Sequence, residues 1–157
     1  MKLLILLIIS PLLVVLLVLA NNQVYNQDPP GLWQRVREAL RDNVIETRDD
    51  HVYPEFRTPV YPLDREDMWQ RCLEAGWNLD WGLEASDQDA FTLHWIVTTP
   101  MIGFKDDFNV EIREHGEGGS SLYIRSASRV GKADFGANAR HVRRYLEALR
   151  RINRMIE

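Results

Sequence analysis

Within residues 108–156 the apolar side chains change period once, from two to that of a helix, and this restricts the fold more than any other feature of the chain. Phe108, Val110 and Ile112 alternate with Asn109, Glu111 and Arg113, and beyond the glycine-rich run at 115–119 the apolar residues Leu122 and Ile124 resume. That pattern predicts two strands around a turn. Opposing Val110 to Ile124 sets Ile112 against Leu122 and Phe108 against Ser126, so one face of the hairpin is apolar. The other face carries Asn109, Glu111, Tyr123 and Arg125. Gly131 then supplies a bend, Asp134 an N-cap, and a long helix begins. Val142, Tyr145, Leu146, Leu149, Ile152 and Ile156 fall on one side of it, and Arg140, Arg143, Arg144, Arg151 and Arg154 on the other. The apolar stripe needs a surface to cover, and the hairpin is the nearest one.

The preceding segment supplies the rest of a sheet. Trp77, Leu79, Trp81 and Leu83 alternate with polar or small residues, which predicts a half-buried strand, and Phe91, Leu93, Trp95 and Val97 predict its partner after a turn at 86–89. Before them, Asp64 caps a helix over 65–75 whose buried side holds Met68, Trp69, Cys72 and Leu73, with Gly76 placed to end it. Pro54, Pro59 and Pro62 keep residues 44–62 out of the sheet centre, leaving an extended segment with an edge strand at 55–61. The expected fold is therefore α+β: an antiparallel sheet of about four strands, packed by a long C-terminal helix and a second helix. It looks like a reduced version of lipid-binding helix-grip domains, an analogy of fold alone.

Residues 3–20 are apolar apart from Ser10 and Pro11, close to the roughly 20 residues that span a bilayer as a helix. The segment reads as an anchor, or as a signal cleaved after Ala20 that leaves a secreted protein. Lys2 ahead of it favours a single pass with the domain outside the cytoplasm, on the periplasmic side in a Gram-negative cell. The expected organisation is an anchor or signal at 1–20, a spacer at 21–54 and an α+β domain at 55–157. Leu32, Trp33, Val36 and Leu40 give the spacer a short amphipathic helix, either docked on the domain or lying on the membrane.

Composition removes several classes of function. The formal charge of -4 disfavours nucleic acid. One cysteine, Cys72, gives neither a disulfide within the chain nor a cysteine-based zinc site. His51, His94, His115 and His141 show no metal-ligand spacing and read as surface or edge residues. Ser126 and Ser128 follow no nucleophile-elbow pattern. The glycines at 116–119 belong to a turn, without the helix and lysine of a phosphate loop. No cofactor, metal or catalytic residue is expected.

The hairpin register gathers Asp106, Asp107, Arg125, Ser128, Arg129 and Asp134 at one end of the sheet. They form either an ion-pair network that fixes the sheet corner or an anion site in which Arg125 and Arg129 are oriented by carboxylates. Asp106 and Asp107 point to opposite faces, which makes them poor partners for acid and base work. Trp77, Trp81, Trp95, Phe108 and Tyr145 form either packed core or the lining of an apolar cavity.

The strings GFKDD and IRSASRVGKADFGANARHVRRYL carry a resemblance. A hydrophobic-Asp-Asp strand followed by Arg125-Ser126-x-Ser128-Arg129-Val130-Gly131-x-x-Asp134-x-Gly136-x-Asn138 resembles the family known as domain of unknown function 1499, and the likeness runs from about Tyr53, through PEFRTPVYPL, to the C-terminus. It places Asn138 with the charged cluster and implies a fold and a membrane-anchored or exported setting, but no reaction. The leading expectation is a membrane-tethered binding or envelope-associated module that takes an apolar or anionic small ligand. The alternatives are a hydrolase-like enzyme using Asp106, Arg125, Arg129 and Asp134, and a structural protein docking through Arg140, Arg143, Arg144 and Arg151 onto an acidic protein or anionic lipid. The sequence identifies no protein partner.

Overall fold

The computed structural model describes residues 2–24, 30–99 and 103–156, with side chains from Pro11 to Met155 in those segments. In chain order the elements are α1 (Lys2–Asn21), α2 (Leu32–Ala39), β1 (Val44–Glu46), a 3-10 turn (Pro54–Phe56), β2 (Val60–Tyr61), α3 (Arg65–Asn78), β3 (Gly82–Asp87), β4 (Thr92–Thr98), β5 (Lys105–His115), β6 (Gly119–Ser128) and α4 (Ala137–Ile156). The fold is α+β. The side chains at 3–10 and at Ile156, and residues 25–29 of the expected spacer, lie outside the described residues.

The β5–β6 hairpin has the expected register, Val110 opposite Ile124, Ile112 opposite Leu122 and Phe108 opposite Ser126. Around it the antiparallel sheet runs β1-β6-β5-β4-β3, with β2 also paired to β6, so it holds five to six strands rather than four. Both edge strands come from the proline-containing segment: β1 was not expected, and β2 is the end of the edge strand expected at 55–61, whose start is the 3-10 turn. β1 pairs with residues 125–127 of β6 and β2 with residues 120–121, end to end along one edge. In the gap between them the Thr47 hydroxyl takes the place of a strand residue, donating to the Leu122 carbonyl at 3.1 Å and accepting from the Ile124 N–H at 2.9 Å. The prolines permit this because each strand is short and peripheral. The folded domain thus takes in residues that were expected to be spacer.

One face of the sheet is the core. Leu93, Trp95, Val97, Phe108, Val110, Ile112, Leu122 and Ile124 bury against Met68, Trp69, Cys72 and Ala75 of α3 and against Val142, Tyr145, Leu146, Leu149 and Ile152 of α4. The Tyr145 hydroxyl donates to the Cys72 carbonyl at 2.8 Å and ties the two helices together. Buried and half-buried residues alternate along β4 and β5, so the opposite face stays open to solvent.

α3 continues through Gly76 to Asn78, and the predicted strand at 77–83 begins only at Gly82. Gly76 does not end the helix; it admits the Trp95 indole, since a Cβ there would sit 2.3 Å from the ring. Trp77 consequently lies on the helix, 57% exposed, and Asp80, at φ 56°, makes the turn.

α2 forms where the amphipathic pattern predicts, but with its faces reversed. Arg35 and Ala39 are buried, whereas Leu32, Trp33 and Leu40 are exposed. The foot of α1 is fixed on the domain. Leu19 and Asn22 are buried, the Asn22 amide donates to the Phe135 carbonyl at 2.9 Å, and Arg143 donates to the Asn22 carbonyl at 2.7 Å. Gly136, at φ 83°, makes this approach; a Cβ would lie 2.6 Å from a Val24 methyl. Among the described residues no helix is long and apolar enough to cross a membrane.

Candidate functional site

The start of α4 organises one set of polar side chains. Asp134 accepts from the Gly136 and Asn138 N–H groups at 2.7 and 2.8 Å, capping the turn that leads into the helix. The fully buried Asn138 accepts from the Ser126 hydroxyl at 2.6 Å and donates to Ser128 at 2.9 Å and to the Asn43 carbonyl at 2.8 Å. One turn on, His141 meets Asp106 at 2.9 Å, both buried beneath the helix. Burial pushes the Asp134 carboxyl above its ordinary range against the pull of its amide donors, and the Asp106 charge adds to the rise. These residues pin helix to sheet.

Asp107 faces the other way. Its carboxylate takes three contacts of 2.7 to 3.1 Å from the Arg129 guanidinium, and His94 lies 2.7 Å away. Arg129 holds the Asp107 carboxyl below the ordinary range, with burial opposing and His94 assisting. The expected cluster is therefore two clusters on opposite faces, a buried one with Asp106, Ser128, Asp134 and Asn138 and an open one with Asp107 and Arg129. The four residues of the hydrolase reading are not brought together.

Trp81, Trp95, Phe108 and Tyr145 are buried core. Trp81 stacks on Tyr145 at 5.8 Å and meets Phe108 at 4.7 Å, and Phe108 and Tyr145 are 4.9 Å apart. Of the two readings of these residues, packed core or cavity lining, the four buried rings take the first, and Trp77 stands outside them.

A cleft of about 440 Å³ lies instead at the foot of α1. Its walls are Gln23 and Val24, the inner side of α2, β1, residues 51–53 with Phe56, and the start of α4, with Arg125 reaching it from β6. Most of its carboxylates are engaged: Glu38 accepts from the Tyr53 hydroxyl, Glu46 from the Tyr123 hydroxyl at 2.8 Å, and Asp134 serves the cap. Asp42 is exposed. Glu55, behind the wall, pairs with Arg35 at 2.5 Å. Burial raises the Glu55 carboxyl, but Arg35, a backbone N–H and the charge of Arg143 together outweigh it and the net direction is down. Among the described residues the side chains of Arg48 and Arg125 make no hydrogen bond or ion pair; Arg125 is half-buried, stands across the sheet from Glu46 and Asn109, and also borders the open face beside Tyr123. Ile45, Val52, Tyr53, Phe56 and Ala139 give the same cleft an apolar lining.

His51 and His141 are buried, contrary to expectation. His51 accepts from the Tyr53 N–H at 3.0 Å and packs against Tyr53 and Phe56, and burial lowers its pKa. A signal existed for His141, which is spaced by three and four from Asn138 and Tyr145 on one helical face. Nothing in the local pattern marked Arg35, Glu38, His51 or Tyr53, because long-range packing assembles them. Among the described residues no group of three potential ligands could hold a metal.

A search of curated proteins returned no match. The model of one family, described as a protein of unknown function, DUF1499, matches residues 20–149, a span that opens at the foot of α1 and closes in the last turns of α4. It takes in both polar clusters and the cleft, and the chain belongs to the DUF1499 family.

Proposed function

We propose that this protein is a membrane-tethered module, with its domain outside the cytoplasm, that binds a small anionic amphiphile in the cleft at the foot of α1. The observation that carries this reading is Arg125: a half-buried arginine whose side chain makes no hydrogen bond or ion pair among the described residues, set in a cleft that also offers Ile45, Val52 and Phe56. A planar guanidinium suits the two oxygens of a phosphate or carboxylate, and the apolar wall suits a short acyl or alkyl portion. The tether is supported by the apolar run at 3–20 and by its docked foot, which leaves Leu12, Leu13, Leu16 and Leu17 exposed with no protein cover.

Two measurements test the two halves. Protease added to spheroplasts is expected to digest the domain, and full protection until lysis would refute the outward placement. Native mass spectrometry of the full chain released from nanodiscs is expected to show a bound acidic amphiphile that Arg125→Ala loses. A bare chain in both, or equal adducts in both, would refute the cleft assignment.

A further inference from the structure

We propose that the outer face of α2 is a second membrane contact, seated in the headgroup region of the same leaflet that α1 enters, so that the domain lies against the bilayer rather than hanging from it. This rests on the tether reading given above. The starting point is the reversal of α2. The helix turns Arg35 inward, where Glu55 and the Tyr53 ring at 4.3 Å receive it, and leaves Trp33 82% exposed. In water the opposite arrangement is favoured, because an indole gains from burial and a guanidinium loses hydration. The arrangement becomes favourable where the outside is a lipid interface, the environment that suits tryptophan with arginine beside it.

The location fits the same occupant. Leu32, Val36 and Leu40 recur at intervals of four; Leu32 and Leu40 are exposed together with Trp33, and Val36 between them is half-buried. Arg37 and Arg41 flank the row and are exposed, placed to meet lipid phosphates. The C-terminal end of α2 adjoins the foot of α1. The Phe135 N–H donates to the Ala39 carbonyl at 2.9 Å while the Phe135 carbonyl takes the Asn22 amide. Eight residues of helix extend only about 12 Å, so the whole apolar row lies close to the point where α1 departs. Because Arg35, Glu38 and Ala39 line the cleft, α2 then stands between the cleft and the lipid.

The test uses the full chain in vesicles of phosphatidylcholine and phosphatidylglycerol. An environment-sensitive NBD fluorophore is attached in separate variants at Trp33→Cys, Leu16→Cys on α1, and Leu83→Cys on the opposite edge of the sheet; Cys72 is buried and stays unlabelled. The expected result is blue-shifted emission at 33 and 16 that lipid-borne nitroxide quenches, with solvent-like emission at 83. Quenching at 16 with solvent-like emission at 33 would overturn this inference and leave the tether standing. Solvent-like emission at 16 would remove the tether and the inference with it. A blue shift at 33 that nitroxide does not quench, and that grows with protein density, would assign the face to a second copy of the chain and overturn the proposal. Quenching at all three sites would show no preferred face and also overturn it.

Discussion

Asp106 and Asp107 are separated by one position along β5 and by the full thickness of the sheet. The pleat makes that separation legible in the sequence, and it decides what each carboxylate does. Asp106 is the hydrogen-bond partner of His141, whose second ring nitrogen, Nδ1, is buried without one among the described residues. Asp106→Ala leaves both nitrogens unsatisfied, and an unpaired buried polar group costs about 1–3 kcal/mol. Urea denaturation should show a loss of that size, whereas a midpoint unchanged from wild type would contradict the pairing. Asp107 predicts a pH effect of definite sign. Its folded-state pKa lies below the ordinary 3.8, so the stability it contributes is present above 3.8 and disappears as pH falls through the lower folded value. The stability difference between wild type and Asp107→Asn should therefore narrow as pH falls below 3.8, and a difference that widens would reverse the assignment. The site was harder to read than the strands. Arg125 was identifiable as a residue of the polar face, but its companions Arg48, His51 and Tyr53 are distant in sequence and meet it through the fold alone.

At the scale of elements, patterns held where one local rule acted and failed where two competed. The β5–β6 register followed from alternation across a single turn. Around Gly76 the period-two reading competed with a helix whose closest neighbour is an indole from β4, and tertiary packing won. Gly76→Ala brings the competition into the open. Alanine gains roughly 1 kcal/mol in helix propensity, but its Cβ would need the space of the Trp95 ring, an overpacking that typically costs about 1–3 kcal/mol. The variant should be less stable by urea denaturation, and a more stable one would show that Trp95 moves aside freely. β1 was hidden for another reason, and of the edge strand expected at 55–61 only the end forms, as β2: prolines signal an edge, and the Thr47 bridge that joins the edge pieces has no local signature. The reversed α2 was hidden because amphipathicity reports that a helix has two faces without saying which solvent each face meets.

Over the whole molecule, the core fastens β-sheet to α3 and α4, the buried polar cluster fixes the start of α4, and the foot of α1 docks on that same corner. The cleft lies where these parts meet, so its shape depends on all of them. Isothermal titration of the full chain in nanodiscs with hexyl phosphate, a single anion on a short apolar chain, tests the binding reading most directly. Saturable binding is expected, weakening roughly tenfold or more in Arg125→Ala, the effect of losing a charge-assisted hydrogen bond of about 1.5–3 kcal/mol, and surviving Arg129→Ala. Binding that is absent from the wild type, unchanged in Arg125→Ala, or abolished by Arg129→Ala instead would contradict it.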